Sequence, residues 1–228
     1  MARVNARRTY SSPLRERQAK ATRRAVLEAA RKLFIAQGYG ATTVEQIAQH
    51  AGVSKPTVFS AVGNKQLLLR AVRDVAIAGD DEPVPVAKRP AADRIRAEPD
   101  QRRAVALLAR HLTGVAGRYA ELHEVLHAAA DSGEDDLRDL WQLEEDQRLT
   151  GARRWIEALT SKGPLRPGLD TGTAVDLLWL LMSPDNYYRL VHRRGWTNKQ
   201  YQQWLAAAIL QLVFAKHPCD VEPPCFGG

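Results

Sequence analysis

Residues 43–65 contain two short helical patterns separated by a tight-turn signal, and this segment constrains the fold more than any other part of the chain. Ile47 lies on the apolar side of the first pattern. Gly52 suits the left-handed backbone of a tight turn. Ser54 is a good N-cap for the second pattern, and Pro56 in its first turn lacks an N–H that would be unsatisfied there anyway. The segment therefore predicts the spacing of a helix-turn-helix.

Helical patterns also flank this segment. Thr42 followed by Glu45 fits a capping box, which predicts that the first helix of the pair begins at the next residue after Thr42. An apolar face within residues 20–37 predicts a preceding helix that ends at Gly38. Asn64 is expected to cap a following helix. The inner face of that helix is predicted to hold Leu67, Leu68 and Val72.

The positive charge is concentrated in the same third of the chain. Residues 1–78 contain 14 Lys and Arg against 4 Asp and Glu, whereas residues 79–228 contain 19 against 22. This asymmetry favours one part that binds a polyanion and another that does not. Nucleic acid fits better than a membrane, because no apolar run approaches the ~18 residues that a spanning helix needs. Residues 1–20 lack the apolar region of a signal peptide, so a cytoplasmic location is expected.

The whole chain is predicted to be all-α, with about nine helices and no strand. An apolar stripe around residues 108–126 predicts either one long helix or two helices broken near Gly117. The expected organisation is a disordered basic arm at 1–18, a helix-turn-helix domain with a connecting helix at 19–78, a linker or mobile loop at 79–99, a helical domain at 100–215 and a disordered tail at 216–228.

The two cysteines give no sign of a metal or redox site. Cys219 and Cys225 lie in the Pro- and Gly-containing tail, and nothing in the sequence places them near a core. Two cysteines supply too few of the four ligands of a structural zinc site, so they are interpreted as incidental thiols of a cytosolic protein. No cofactor, metal site or catalytic residue is expected.

The chain resembles the tetracycline-repressor (TetR/AcrR) family of regulators, most strongly over residues 23–70. The resemblance is carried by Ala29-Ala30, Leu33-Phe34, Gly38-Tyr39, Thr42-Thr43-Val44, Ile47-Ala48, Ala51-Gly52-Val53-Ser54, Pro56-Thr57-Val58-Phe59 and Lys65. It implies a homodimer, a three-helix DNA-binding domain and a larger helical domain that encloses a small-molecule pocket. In the family, the last two helices of each subunit build the dimer, and ligand binding weakens operator binding.

Two residues depart from the pattern of the family. Phe59 stands where members usually have a tyrosine whose hydroxyl contacts a phosphate, so that contact is absent here. Val62 stands where an aromatic residue is common, which makes the local packing lighter. Lys65, a usual phosphate contact at a helix start, is retained.

The DNA contacts are expected in two sets. Thr43, Lys65 and the N–H groups at helix N-termini should bind phosphates of a double-stranded, near-palindromic operator. Lys55 could donate to guanine, the Thr57 methyl could contact thymine, and Phe59 could pack on a sugar or a thymine methyl. The outer face of the second helix of the motif is predicted to read bases through Ser54, Lys55, Thr57 and Ser60.

A ligand pocket is expected in the helical body, because amphipathic side chains there suit a lipophilic or aromatic effector. The same side chains at helical spacing could also be ordinary core. The candidate pocket residues are His111, Tyr119, His123, Trp141, Trp155, Trp179, Met182, Asn186 and Tyr187.

Residues 123–127 read His-Glu-Val-Leu-His and match H-E-x-x-H, the pattern of a zinc-binding helix in metalloproteases. His123 and His127 would share one helix face, and Glu124 would act as general base. Such a site also needs a third ligand and a cleft, and nothing in the sequence marks them. A pocket-lining or packed His123 is therefore favoured.

The sequence as a whole predicts a homodimeric repressor that a small effector releases from its operator, and not an enzyme. Two alternatives stay open. A zinc hydrolase would need a complete metal site around residues 123–127. A DNA-binding protein without an effector would have a filled core with no cavity.

Overall fold

The computed structural model of the chain describes residues 13–131 and 135–214, apart from the side chains of residues 135 and 136. These residues contain ten α-helices and no β-strand, so the predicted all-α fold is confirmed. The chain divides into two compact units, and the boundary follows Val72, earlier than the predicted boundary at residue 78. No helix in the described part of the chain is both long and apolar enough to cross a membrane.

The first unit contains three complete helices and the start of a fourth. They are α1 (Pro13–Ala41), α2 (Val44–Ala51), α3 (Lys55–Ala61) and α4 (Lys65–Ala78). Helix α1 begins inside the segment predicted as an arm, because Pro13 and the acidic Glu16 suit a helix N-terminus. Residues 1–12 of that arm lie outside the described residues. Gly38 breaks α1 with φ 80°, close to the predicted helix end.

Helix α2 starts one residue later than predicted. The N-cap is Thr43, whose hydroxyl accepts from the Gln46 N–H at 3.2 Å, while the Gln46 amide oxygen accepts from the Thr43 N–H at 2.8 Å. Thr42 is instead buried, and its hydroxyl donates to the Gly38 carbonyl at 2.7 Å. The predicted box of Thr42 and Glu45 is therefore wrong, because Thr42 closes the break that precedes α2.

The start of α4 follows the prediction in its cap and differs in its inner face. The Asn64 side chain accepts from the Leu67 N–H at 2.9 Å, which confirms the cap. Leu68 and Val72 are buried as predicted. Leu69 is also buried, whereas Leu67, which was predicted to lie on the inner face, is 48% exposed. Leu67 and Leu69 lie on opposite sides of Leu68, each about 100° around the helix axis, so only one of the two can share its buried face.

The second unit contains the end of α4 and six further helices. They are α5 (Pro90–Ala97), α6 (Gln101–Asp131), α7 (Asp135–Thr160), α8 (Thr171–Leu181), α9 (Pro184–Tyr187) and α10 (Asn198–Val213). A π-helical turn over Tyr188–Arg193 continues α9. Residues 215–228, which include both cysteines and the predicted tail, lie outside the described residues.

The segment predicted as a linker at 79–99 contains α5 and a 3-10 turn at Val86–Lys88. Ala92 and Ile95 are buried and pack toward α6. The prolines of this segment made it look irregular, yet Pro90 occupies the first helical position, where its missing N–H costs nothing. The linker prediction is therefore wrong for this part.

Helix α6 runs unbroken through Gly117 and forms the centre of the second unit. It packs against α7, α9 and α10. A Cβ at Gly117 would lie 3.1 Å from the Tyr187 hydroxyl oxygen, so the missing side chain lets Tyr187 approach the helix. Thr197 and Gln200 form a capping box at the start of α10.

Candidate DNA-binding surface and ligand cavity

Helix α3 presents short polar side chains whose hydroxyls are held by the helix itself. Ser54 is the N-cap, and its oxygen accepts from the Thr57 N–H at 3.3 Å and lies 2.7 Å from the Thr57 hydroxyl. The Ser60 hydroxyl donates to the Thr57 carbonyl at 3.0 Å. Val58 on the opposite side is completely buried, so the polar side faces outward. These hydrogen bonds therefore hold the side chains on the face of α3 that is predicted to read bases.

Lys55 and Phe59 are the larger exposed side chains of this helix. The Phe59 ring is 47% exposed, an unusual position for a large apolar side chain without a partner. The Lys55 ammonium lies 3.1 Å from a carboxylate oxygen of Glu45, and both side chains are more than half exposed. Sequence analysis missed Glu45 at this surface, although opposite charges in the first turns of adjacent helices were a usable signal.

The two predicted phosphate contacts lie at helix N-termini. Thr43 is exposed and caps α2. Lys65 begins α4, and its ammonium lies 4.1 Å from the centre of the Tyr39 ring and 3.5 Å from the Gly40 carbonyl oxygen. A helix N-terminus carries about half a positive charge, so a hydroxyl or ammonium there suits an anion.

The second unit contains a cavity of about 700 Å³, a volume within the range of small-molecule sites. One side of α7 follows it for roughly 20 Å, from Glu144 to Ala158. The walls are mainly apolar, with Leu112, Val115 and Met182 among the residues that line them. Such a cavity can hold a lipophilic molecule and offer it a few polar partners.

Only part of the predicted pocket set lies at this cavity. The predicted residues that line it are His111, Tyr119, Trp155 and Met182. The predicted residues that do not line it are His123, Trp141, Trp179, Asn186 and Tyr187. The Trp179 ring stacks under the Arg148 guanidinium at 4.8 Å. The other polar groups are used locally, since Asn186 donates to the Leu180 carbonyl and Tyr187 donates to Asn198.

A buried polar cluster lies at one end of the cavity. Glu144 is 3% exposed, and one of its oxygens lies 2.9 Å from His123 Nδ1, while the Tyr119 hydroxyl donates to the other. Arg73 is equally buried; its Nε lies 3.7 Å from Glu144, and it donates to Gln147 at 2.6 Å. Sequence analysis missed the burial of Arg73 and Glu144, because nothing in a single sequence marks a charged residue as buried.

The cluster shifts two pKa values in opposite directions. Burial raises the pKa of Glu144, but the hydrogen bond and charge of His123, the Tyr119 hydroxyl and the Arg73 charge outweigh it, so the pKa is lowered. Burial and the neighbouring Glu144 carboxylate raise the pKa of Tyr119 well above its ordinary value. The cluster therefore holds an ionised carboxylate bonded to a neutral phenol. The pKa of His111 at the cavity wall is lowered by burial and by the charge of Arg118.

The two histidines of the H-E-x-x-H pattern make different contacts. His123 is buried against Glu144, whereas the His127 side chain is 53% exposed, with Nε2 lying 3.8 Å from Asp131. The Trp141 ring contacts both imidazoles, with centroid distances of 4.9 and 4.6 Å. Among the described residues, no group of three or more His, Cys, Asp or Glu side chains could hold a metal ion. The two histidines of the pattern therefore pack on Trp141, and His123 also forms one buried hydrogen bond with Glu144.

Comparisons with known proteins give one match to the helix-turn-helix unit and others that extend over most of the chain. A family model described as bacterial regulatory proteins of the tetR family matches residues 26–72, which lie within the helix-turn-helix unit. The HTH-type transcriptional regulator YdeS of Bacillus subtilis (strain 168), itself uncharacterised, is 28% identical over 185 residues, covering 79% of this chain and 83% of that protein.

Two solved structures show the same fold. NalD, the secondary repressor of the MexAB-OprM multidrug efflux pump in Pseudomonas aeruginosa, has a TM-score of 0.61 and 21% identity, and the match covers 87% of this chain and 98% of NalD. FadR from Bacillus subtilis, in complex with stearoyl-CoA, has a TM-score of 0.63 and 17% identity, with 82% and 96% coverage. The family match falls on the unit that presents α3, and the shared fold continues into the second unit, so the chain has a helix-turn-helix domain similar to that of the tetR family and the fold of tetR-family transcriptional regulators.

Proposed function

We propose that the protein is a homodimeric repressor that binds a near-palindromic operator and is released by a small lipophilic or aromatic effector. The observation that carries the proposal is the pairing, within one chain, of an exposed polar recognition helix and an apolar cavity of about 700 Å³. The helix supplies a surface for the DNA major groove. A cavity of this volume supports an effector over a DNA-binding protein with a filled core.

The proposed DNA contacts follow the chemistry of the exposed residues. Thr43 and Lys65 hold phosphates at helix N-termini, where the helix dipole also favours an anion. Lys55 donates to guanine, and Thr57 and Phe59 offer apolar contacts to thymine methyl groups. Ser54 and Ser60 complete the reading face.

We infer that the effector occupies the cavity of the second unit. FadR, which shares the fold, was solved with stearoyl-CoA, and this supports a bound organic molecule of considerable size in the same architecture. The cavity side chains of Leu112, Val115 and Met182 suit an apolar body, and His111 and Tyr119 offer polar groups.

The dimer is proposed to form through the last helices of each copy. Leu180 on α8 is 57% exposed and Leu212 on α10 is 39% exposed, and a second copy would remove both from water. Leu212→Glu is expected to weaken the dimer about tenfold or more, because it places a charge in an apolar seam. Light scattering across a concentration series measures this effect. Leu143→Glu on α7, where Leu143 is 36% exposed, is the matched control and should leave the dimer unchanged.

Footprinting on DNA that flanks the protein's own coding sequence tests the proposed function. A near-palindromic protected site is expected, with the two recognition helices about one turn of DNA, or ~34 Å, apart or somewhat more. Addition of a lipophilic effector should then remove the protection. A monomeric protein with no preference for any duplex over random competitor at moderate ionic strength would contradict the proposal.

A further inference from the structure

We propose that Glu45 is a specificity-determining residue of the DNA-binding surface, and this inference rests on the proposed operator binding. Glu45 lies in the first turn of α2, and Lys55 is the first residue of α3. Their charged groups are 3.1 Å apart on the side of the unit where α3 presents its polar residues. Glu45 thus sits beside a residue proposed to read a base and carries the opposite charge to it.

The ion pair is not required to build the motif. Helix α2 is capped by Thr43 and Gln46, and α3 is capped by Ser54, without any contribution from Glu45 or Lys55. The side chains of the pair are 62% and 51% exposed, and ion pairs at that exposure contribute little to folding. A carboxylate near a helix N-terminus also stabilises the helix slightly, and this effect on folding has to be distinguished from an effect on DNA recognition.

The pair changes how this surface attracts DNA. A free lysine at the head of α3 would bind any phosphate, and its contribution would be independent of sequence. Glu45 cancels that charge locally and is itself repelled by phosphates. The carboxylate therefore lowers the affinity for all duplexes unless the DNA supplies a hydrogen-bond donor in its place. Glu45 therefore weakens binding to DNA sequences that lack such a donor.

The chemistry of the pair matches one kind of base pair. In the major groove, guanine presents the acceptors O6 and N7, and cytosine presents the N4 donor. Lys55 can donate to guanine while Glu45 accepts from the paired cytosine. An A·T pair with thymine in the place of cytosine puts the O4 acceptor opposite the carboxylate, which is left without a partner. The reversed T·A pair keeps a donor, adenine N6, but puts a methyl group where guanine offers N7 to Lys55. The geometry therefore points to a G·C pair in each half-site.

The test uses the full-length protein, its selected operator and random duplex, with binding measured by fluorescence anisotropy over a range of salt concentrations. Glu45→Gln should strengthen binding to random duplex and lower the ratio of operator to random affinity by about tenfold. The salt dependence of random-duplex binding should steepen by about 0.9 in the log–log slope per protomer, because Lys55 is released to phosphates. Selection from a randomised operator should show relaxed G·C preference at one position per half-site.

Glu28→Gln is the matched control, because Glu28 forms an exposed ion pair with Lys32 at 2.9 Å in the same unit. It should leave the affinity ratio unchanged, and thermal melts should show all three proteins folded. If the wild type prefers its operator but Glu45→Gln changes the ratio of operator to random affinity by less than twofold, this inference alone is overturned. It is also overturned if Glu28→Gln changes that ratio as much as Glu45→Gln does. A wild type with no duplex preference overturns the proposed operator binding, and this inference with it.

Discussion

Glu144→Leu is expected to lower the free energy of unfolding of the second unit by about 3 kcal/mol. The substitution puts an apolar side chain of similar size in place of the carboxylate that faces Arg73 Nε at 3.7 Å, and the buried guanidinium keeps only the more exposed Asp74 carboxylate, at 2.7 Å. Removing one partner of a buried ion pair is far more costly than never having had the pair, because the remaining charge stays buried with less compensation. Denaturant unfolding followed by circular dichroism measures the loss.

Asp139→Leu is the control for this prediction, since Asp139 is an exposed acidic residue of the same helix. It should change the unfolding free energy by less than about 0.5 kcal/mol. A loss below about 1 kcal/mol in Glu144→Leu would mean that Asp74 and Gln147, which also bond Arg73, are sufficient to hold its charge.

The same cluster gives the protein a specific acid sensitivity. The pKa of Glu144 in the folded chain lies below the ordinary value of 4.5. A lowered folded-state pKa stabilises the fold fully above the unfolded value, and this stabilisation is lost as pH falls through the folded value. Wild-type stability should therefore decline below about pH 4.5 through this group. Glu144→Leu, already destabilised, should have a shallower acid limb in the same pH series.

The helix-turn-helix could be predicted because its signals are local. Gly52, Ser54 and Asn64 each act within one turn of a helix, and each occupies the expected position in the structure. The start of α2 differs from the prediction by one residue. Thr42 and Thr43 are both good caps, and only the buried hydrogen bond from Thr42 to the Gly38 carbonyl decides between them.

The cavity could be predicted only in outline, since its walls depend on contacts between residues far apart in sequence. His111 and Trp155 belong to different helices, and their rings approach to 6.5 Å only after α6 and α7 pack. Trp179 carries the same kind of sequence signal, yet it packs under Arg148 instead. Aromatic residues at helical spacing show that a helix has an apolar face, and the facing helices decide which of them border empty space.

Buried charge escaped sequence analysis for a related reason. Arg73 follows a run of apolar residues in α4, and Glu144 lies in an acidic stretch of α7, so both read as solvated residues. Their burial becomes favourable only because each satisfies the other, together with Tyr119, His123 and Gln147.

Gly151→Phe is expected to weaken binding of a lipophilic probe to the cavity by about thirtyfold, equivalent to about 2 kcal/mol of overpacking. Gly151 lies on the cavity side of α7, and a Cβ there would meet only Met182 Cε, at 3.7 Å. A larger side chain can therefore enter the cavity without displacing the backbone. Phenylalanine also has a higher helix propensity than glycine, so the substitution should not weaken α7 itself and loss of probe binding would not reflect unfolding.

The matched control is Gly114→Phe, since Gly114 lies on the exposed side of α6, is also mid-helical and does not line the cavity. N-phenylnaphthylamine, an uncharged aromatic dye, serves as the probe and is titrated by fluorescence. The control should bind the dye like the wild type, and both variants should bind the operator within about twofold of it. Undiminished dye binding in Gly151→Phe would place the lipophilic site elsewhere. Weakened dye binding in both variants would show that the loss comes from helix changes and not from filling the cavity.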